Sequence, residues 1–231
     1  MYSRFFKRVL DFLLSFVAIS VLSPVLLAFT VIGFFQMKGN PFFTQLRPGK
    51  IDKKSGTERI FKLIKFRTMT NAKDKDGNLL PDDKRLTAYG KFLRSTSIDE
   101  LPELFNILIG DMSIVGPRPQ LVRDMVFMTE EQRKRHTVLP GLTGLAQCSG
   151  RNNISWTKKF EYDLEYIKKI TLLGDIKIIF KTVGKVFARE DTVREGTVSD
   201  MDFGDWLIAE GMVDRETYEK KQEEAKELLR V

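Results

Sequence analysis

The sequence predicts an α+β fold, mainly α, carried on an N-terminal membrane element, and three observations predict it. Residues 12–35 contain no charged side chain, and Ser23-Pro24 sits in the middle of that run. Two stretches rich in aromatic and β-branched residues, 42–46 and 60–66, flank a polar segment as the strands of a hairpin would. Farther on, apolar residues recur at helical spacing, first from Asp99 and again across Asp175 to Phe187. At 231 residues the chain can build one sizeable core with smaller appendages. The expected division is a membrane anchor over 1–40, a main body over 41–195 and an acidic helical appendage over 196–231.

An uncharged run of this length can cross a bilayer as a helix. Two features favour a re-entrant helix-break-helix that dips into one leaflet and returns. Pro24 cannot donate a backbone hydrogen bond and crowds the preceding turn, while the Ser23 hydroxyl can bond a carbonyl freed there. Arg4, Lys7 and Arg8 precede the run, Lys38, Arg47 and Lys50 follow it, and positive flanks are retained on the cytoplasmic side. A kinked spanning helix is the alternative. A cleaved signal peptide does not fit, because the run is too long and lacks a small-residue cleavage site.

The hairpin strands are expected at Phe42–Leu46 and Ile60–Phe66, with a polar tip between them containing Pro48-Gly49 and Ser55-Gly56. Residues 71–85 have mixed charge and little periodicity, so they read as a lid or as an ordinary solvated loop. From Asp99 the spacing of Leu101, Leu104, Phe105 and Leu108 gives one buried helix face. Ser97 and Glu100 have capping-box spacing, although a start at Asp99 accommodates Pro102 better. A helix is expected over 121–136, then a turn at Leu139-Pro140-Gly141 and a short strand over 143–147. Two amphipathic helices follow, one burying Phe160, Leu164 and Ile167, the other carrying Ile176, Ile179, Phe180, Val183 and Phe187 along one face. Lys177, Lys181 and Lys185 line a second stripe of the latter, the pattern of an amphipathic helix in a membrane interface and equally of a core helix with a wet face. The last stretch reads as two short helices turning at Gly211.

Net charge is +7, unevenly spread: residues 195–231 carry five Lys/Arg against eleven Asp/Glu, which leaves the preceding 194 at +13. A basic body suggests an anionic partner such as acidic lipid or a phosphorylated substrate. Nucleic acid is not expected, since no recognised binding motif or interleaved aromatic pattern is present. Cys148 is the single cysteine, which rules out an intrachain disulfide and suits a reducing compartment. His136 is the single histidine, so a multi-histidine metal site or a histidine-based triad is not expected; the residue is expected on the surface of a basic helix.

The chemistry concentrates between Ser97 and Pro119. Asp99 and Glu100 stand where a helix begins, near the positive end of its dipole, and Arg118 is held between Pro117 and Pro119. A carboxylate there can be a nucleophile or merely a helix cap, and a guanidinium on rigid backbone is a good phosphate clamp.

Taken in order, FTQLRPG (Phe43 to Gly49), KFRTM (Lys65 to Met69), LRSTSIDELPELFNILIGDMSIVGPRP (Leu93 to Pro119), LPGLTGLAQ (Leu139 to Gln147) and GRNNISWTKKFEYDLEY (Gly150 to Tyr166) resemble the bacterial sugar transferase family, the small monotopic phosphoglycosyl transferases. The resemblance covers about residues 1–190. It implies a re-entrant membrane helix, interfacial helices and a small catalytic domain on the cytoplasmic face of the bacterial inner membrane. The implied reaction moves a sugar 1-phosphate from a UDP-sugar to undecaprenyl phosphate and releases UMP. Asp99 would be the nucleophile and a ligand of Mg²⁺, with Glu100 as its partner in the dyad. Lys65, Arg94, Arg118 and Arg151 match the family's phosphate-binding residues. Gly150 to Phe160 are most similar to members that use N,N'-diacetylbacillosamine, which implies a diacetamido-sugar donor. The hairpin tip at 50–59 is longer than in the minimal members. The acidic tail lies outside the resemblance and suits a homodimer contact or one with glycosyltransferases of the same pathway. A membrane scaffold that binds phosphorylated ligands is the competing function, and it has no need of Asp99.

Overall fold

The computed structural model describes residues 2–150, 154–188 and 201–230. The uncharged run forms one hydrogen-bonded helix, α1 (Lys7–Gln36), with Pro24 inside it. The expected helix-break-helix is therefore corrected to a single helix carrying an internal proline. Proline at 24 deprives the Ser20 carbonyl of its N–H partner, and Ser23 Oγ donates to that carbonyl at 2.8 Å. One hydroxyl thus repairs the ladder where the ring breaks it.

The body engages α1 along most of its length. Arg8 donates to the carbonyls of Ile107 (2.6 Å) and Leu108 (2.8 Å), and Ile114 N donates to Asp11 Oδ1 at 3.0 Å. Ala18, Ile19 and Leu22 pack on a core of Phe61, Leu63, Leu104, Ile107 and Met112. Nearer the other end, Leu26 joins Phe66 and Leu93, and Tyr89 Oη donates to Phe29 O at 3.0 Å. The opposite side of α1, with Phe12, Phe16, Leu27 and Phe35, is exposed.

β1 (Phe42–Ile51) and β2 (Glu58–Phe66) pair antiparallel with Phe42 opposite Phe66 and Arg47 opposite Phe61. The strands are longer than expected, and the polar tip shrinks to residues 52–57; an irregularity between Pro48 and Ile51 lets the proline sit inside β1. Residues 71–85 form a small folded excursion, with a bridge between Lys73 and Leu79 and the short α2 (Asp82–Arg85). α3 (Ala88–Thr96), which the apolar pattern does not announce, starts on the Thr87 side chain and buries Leu93.

A 3₁₀ turn, Ile98–Glu100, precedes α4 (Glu103–Ile109). The helix thus begins four residues later than expected. Its buried face is also turned: Leu104 and Ile107 are in the core, while Phe105 is 41% and Ile109 69% exposed. The reason is polar. Asn106 is buried because it accepts from Ile64 N (3.1 Å) and donates to Lys62 O (2.8 Å), closing the free backbone of β2.

β3 (Ser113–Val115) runs parallel to the β-strand β4 (Gly141–Thr143), and the two meet through glycine. A Cβ on Gly141 would stand 2.1 Å from Gly116 N, so neither partner tolerates a side chain there. Between them the single helix expected over 121–136 is broken into α5 (Val122–Met125), α6 (Glu130–Arg133) and a 3₁₀ turn. Thr129 and Gln132 make a capping box that restarts the chain at α6. His136 is buried, not on the surface, with Nδ1 3.0 Å from Glu58 Oε1. The strand expected over 143–147 is also corrected: only Thr143 is in β4, and α7 (Leu145–Ser149) takes the rest.

α8 (Trp156–Lys168) buries Phe160 as expected, but Leu164 and Ile167 are only half-buried, and Tyr166, whose hydroxyl donates to Val115 O and Asp175, is buried instead. α9 (Leu172–Ala188) buries Ile178 but leaves Leu173, Ile176, Phe180 and Val183 exposed. Phe187 of the expected stripe lies outside the described side chains. α10 (Phe203–Ala209) and α11 (Arg215–Leu228) are the two terminal helices, with Gly211 at φ +69° in the turn between them.

Candidate active site

Ser97 ends α3 in the left-handed region, φ +56°, and its N–H bonds Arg94 O at 3.3 Å. That reversal places the Asp99-Glu100 turn beside the last residues of β2. No capping box forms; instead Glu100 N bonds the Ser97 carbonyl. Lys65 Nζ lies 2.8 Å from Glu100 Oε1 and 3.1 Å from Glu103 Oε1. Arg118 Nη2 reaches the same Glu100 oxygen at 2.6 Å.

Arg118 itself is held from behind. Gly116 N bonds Thr143 O and Gly141 N bonds Pro117 O, so the Gly-Pro-Arg-Pro turn is stitched to β4 on both sides. Arg135 Nη2 donates to Arg118 O at 2.6 Å, and Arg135 is in turn fixed by a buried ion pair with Asp163 at 2.7 Å. Arg94 points from α3 to Thr68 Oγ1, 3.2 Å away.

The structure therefore brings Lys65, Arg94, Asp99, Glu100 and Arg118 to one open cleft of about 960 Å³. Arg151 lies outside the described residues, so its expected place at the phosphates stays an expectation. Ser23 and Pro24 act within α1 and do not line the cleft. Sequence reasoning missed Arg47, which lines the cleft while donating to Pro119 O (3.2 Å) and Gln45 Oε1 (2.7 Å). It stands in the FTQLRPG motif, but an arginine near a hairpin tip gives no sign that it points inward. Glu103, almost fully buried under Lys65, was hidden for the same reason: its spacing says helix and nothing about what lies above it.

The electrostatics divide the dyad. Burial and the neighbouring Glu100 push the Asp99 carboxyl up to about 6, against the pull of Lys65, Arg94 and Arg118. Burial would raise Glu100 too, but Arg118 and Lys65 hold it well below the usual carboxylate range. Glu103 is pushed up to about 7, mainly by burial. Glu100 is thus a permanent anion spent on two cations. Asp99, to which no hydrogen bond is made among the described residues, is ionised near neutral pH yet unusually basic. That is the state a nucleophilic carboxylate needs.

Among the described residues there is no cluster of three metal-ligating side chains. The donor that the cleft offers a hard divalent cation such as Mg²⁺ is the Asp99 carboxylate, an oxygen ligand of the kind such an ion takes together with substrate phosphates.

The family model described as bacterial sugar transferase matches residues 2–189. EpsL of Bacillus subtilis, named an uncharacterized sugar transferase, is 46% identical over 185 residues, covering 80% of this chain and 88% of that protein. The UDP-glucose:undecaprenyl-phosphate glucose-1-phosphate transferase of Klebsiella pneumoniae is 41% identical over 192 residues, 79% of this chain and 40% of its own length. The UDP-N-acetylgalactosamine-undecaprenyl-phosphate N-acetylgalactosaminephosphotransferase of Aeromonas hydrophila is 36% identical over 190 residues, 78% of this chain and 43% of that one. With the family model covering everything from the membrane helix through α9, the chain belongs to the bacterial sugar transferase family.

Proposed function

We propose that this protein transfers a sugar 1-phosphate from a UDP-sugar to undecaprenyl phosphate, releasing UMP, through a phosphosugar ester of Asp99. The observation that carries the reading is the division of the dyad, with Glu100 neutralised by Lys65 and Arg118 and Asp99 left free and basic in the same cleft. In the first step an Asp99 carboxylate oxygen attacks the sugar-bearing phosphorus in line, and the bond to the bridging oxygen breaks as UMP leaves. In the second, a phosphate oxygen of undecaprenyl phosphate attacks that phosphorus and the aspartyl bond breaks, restoring the carboxylate. Two steps let a water-soluble donor and a membrane-bound acceptor use one site in turn. Lys65, Arg94, Arg118 and Arg47 offset the charge of the diphosphate, which would otherwise repel the nucleophile. Asp99 would hold Mg²⁺, which would supply charge neutralisation in the cleft when bound.

The relatives' names give different sugars, glucose in one and N-acetylgalactosamine in another. Together with the Gly150 to Phe160 motif, this makes N-acetylated and diacetamido UDP-sugars the first donors to test. The direct assay is UMP release by purified protein from a panel of UDP-sugars, with and without Mg²⁺ and undecaprenyl phosphate. No release from any donor would end the proposal.

The acid limb of the first half-reaction should report Asp99. A protonated carboxyl cannot attack, so UMP release at subsaturating UDP-sugar and without the lipid acceptor, which reports the free enzyme, should fall tenfold per unit below about pH 6 and be level above it. A rate still level at pH 4.5 would assign the nucleophile elsewhere.

The anchor supports placement in one leaflet of the bacterial inner membrane, with the body on the cytoplasmic face. Arg8 near one end of α1 and the Phe29 carbonyl near the other both bond the body, although these residues are separated by about 30 Å of helix. A spanning helix would carry one of those contacts across the whole hydrocarbon layer. Phe105, Ile109 and Phe180 add exposed apolar surface on the body for the lipid. Cysteines placed at Ser3 and Lys38, in a Cys148→Ser background, should therefore label from the same side of sealed vesicles. Labelling from opposite sides would make α1 a spanning helix.

A further inference from the structure

Residues 201–230 lie beyond the family match, yet their inner face is buried on the body. Phe203 is wedged against Trp156 and Phe160, with ring centroids 5.3 and 5.0 Å away. Trp156 Nε1 donates to Met201 O at 3.1 Å, and Gly204 N donates to the buried Asp124 at 3.2 Å. Arg123 pairs with Asp202 (3.4 Å) and Asp205 (2.8 Å), and Ala225 of α11 is buried with Val122, Met125 and Val126. This docking makes Met201 and Asp202 part of the wall of the very cleft that contains Asp99 and Arg118. Asp202 keeps about a third of its side chain accessible.

The cleft holds cations around its dyad and further carboxylates, Asp124 and Asp202, beyond Arg47. Lys65, Arg94 and Arg118 surround the dyad; Arg47 stands next to Arg118 and within electrostatic reach of Asp124 and Asp202. A nucleotide sugar has a dianionic centre between two neutral ends rich in hydroxyl and N–H donors. An ionised carboxylate accepts hydrogen bonds and repels phosphate, so it suits a neutral end and not the diphosphate. We infer that the C-terminal segment completes the donor site of this enzyme, and that Asp202 is a specificity-determining residue accepting hydrogen bonds from a hydroxyl or N–H group of the UDP-sugar. The inference rests on the phosphosugar-transfer reading above. It accounts for a feature that charge alone would assign to partner binding: the tail is acidic, but Asp202 and Asp205 pair with Arg123, and Asp202 lines the cleft.

The test is steady-state kinetics of the full chain. Asp202→Ala should raise KM for the preferred UDP-sugar about tenfold, the effect of losing one hydrogen bond to a charged acceptor. kcat, and KM for undecaprenyl phosphate, should stay within about twofold, and Asp202→Glu should recover part of the loss. Inhibition by UDP separates the two neutral ends. A matching rise in its inhibition constant places Asp202 against the uridine, and an unchanged one places it against the sugar. Phe203→Ala, which removes the wedge while leaving Asp202 in the chain, should raise the same KM. An unaltered donor KM in both variants, with the unmodified enzyme fully active, would overturn the inference and leave the transferase reading intact. Absence of UMP release by the unmodified chain would remove that reading instead.

Discussion

Asp99→Asn will abolish UMP release while leaving the protein folded and membrane-bound. The expected loss in the first half-reaction is at least about a thousandfold, because an amide cannot form the ester that the two-step route requires. The side chain is nearly isosteric, and among the described residues no hydrogen bond to the Asp99 carboxylate is broken by the change. Removing the charge also relieves its repulsion with Glu100, so the melting temperature should hold or rise slightly. Wild-type enzyme mixed with a UDP-sugar and quenched in acid before the lipid is added should carry one extra phosphosugar mass on the peptide containing Asp99. The variant should carry none. Turnover by Asp99→Asn, or the added mass on another peptide, would reject the nucleophile assignment. Glu100→Gln provides the contrast: it strips Lys65 and Arg118 of their shared anion but leaves the attacking oxygen in place, so the adduct should still form, slowly.

Much of this site was legible in the sequence because its parts are local. Asp99 and Glu100 are adjacent, Arg118 is set between prolines, and a turn needs only neighbouring residues to take shape. The terminal helices about Gly211 and the repair of the Pro24 gap by Ser23 were legible for the same reason. What failed was whatever depended on long-range polar contacts. Asn106 turned α4 about its axis by bonding β2 across a separation of 42 residues. His136 went inside because Glu58, 78 positions away, also pairs with Arg133 and offers a buried partner. Apolar periodicity is blind to both, since it scores a polar residue as solvent-facing whatever awaits it. The break of the 121–136 helix has another cause: the Thr129 and Gln132 capping box restarts the chain at a point where continuing the helix was equally compatible with the pattern.

Arg118→Lys should lower kcat/KM for the UDP-sugar about a hundredfold, and Arg118→Ala about a thousandfold, with little change in stability. The guanidinium has two tasks. One N–H is committed to Glu100 at 2.6 Å, and with 40% of the side chain still accessible the remaining donors face the cleft. A lysine can satisfy Glu100 or reach a phosphate oxygen, but its single ammonium cannot present a planar fork to both. Stability is spared because the turn is positioned through its backbone. Arg135 binds the carbonyl of residue 118, and the ladders from Gly116 and Gly141 need no side chain there. A half-exposed ion pair contributes on the order of 1 kcal/mol or less. The signature that separates phosphate binding from a packing defect is chemical rescue. Guanidinium ion added to Arg118→Ala should restore part of the rate of adduct formation, while methylammonium at the same concentration should not. Equal rescue by both would reduce Arg118 to a point charge, and rescue by neither, with activity near wild type in Arg118→Lys, would remove it from the phosphate site.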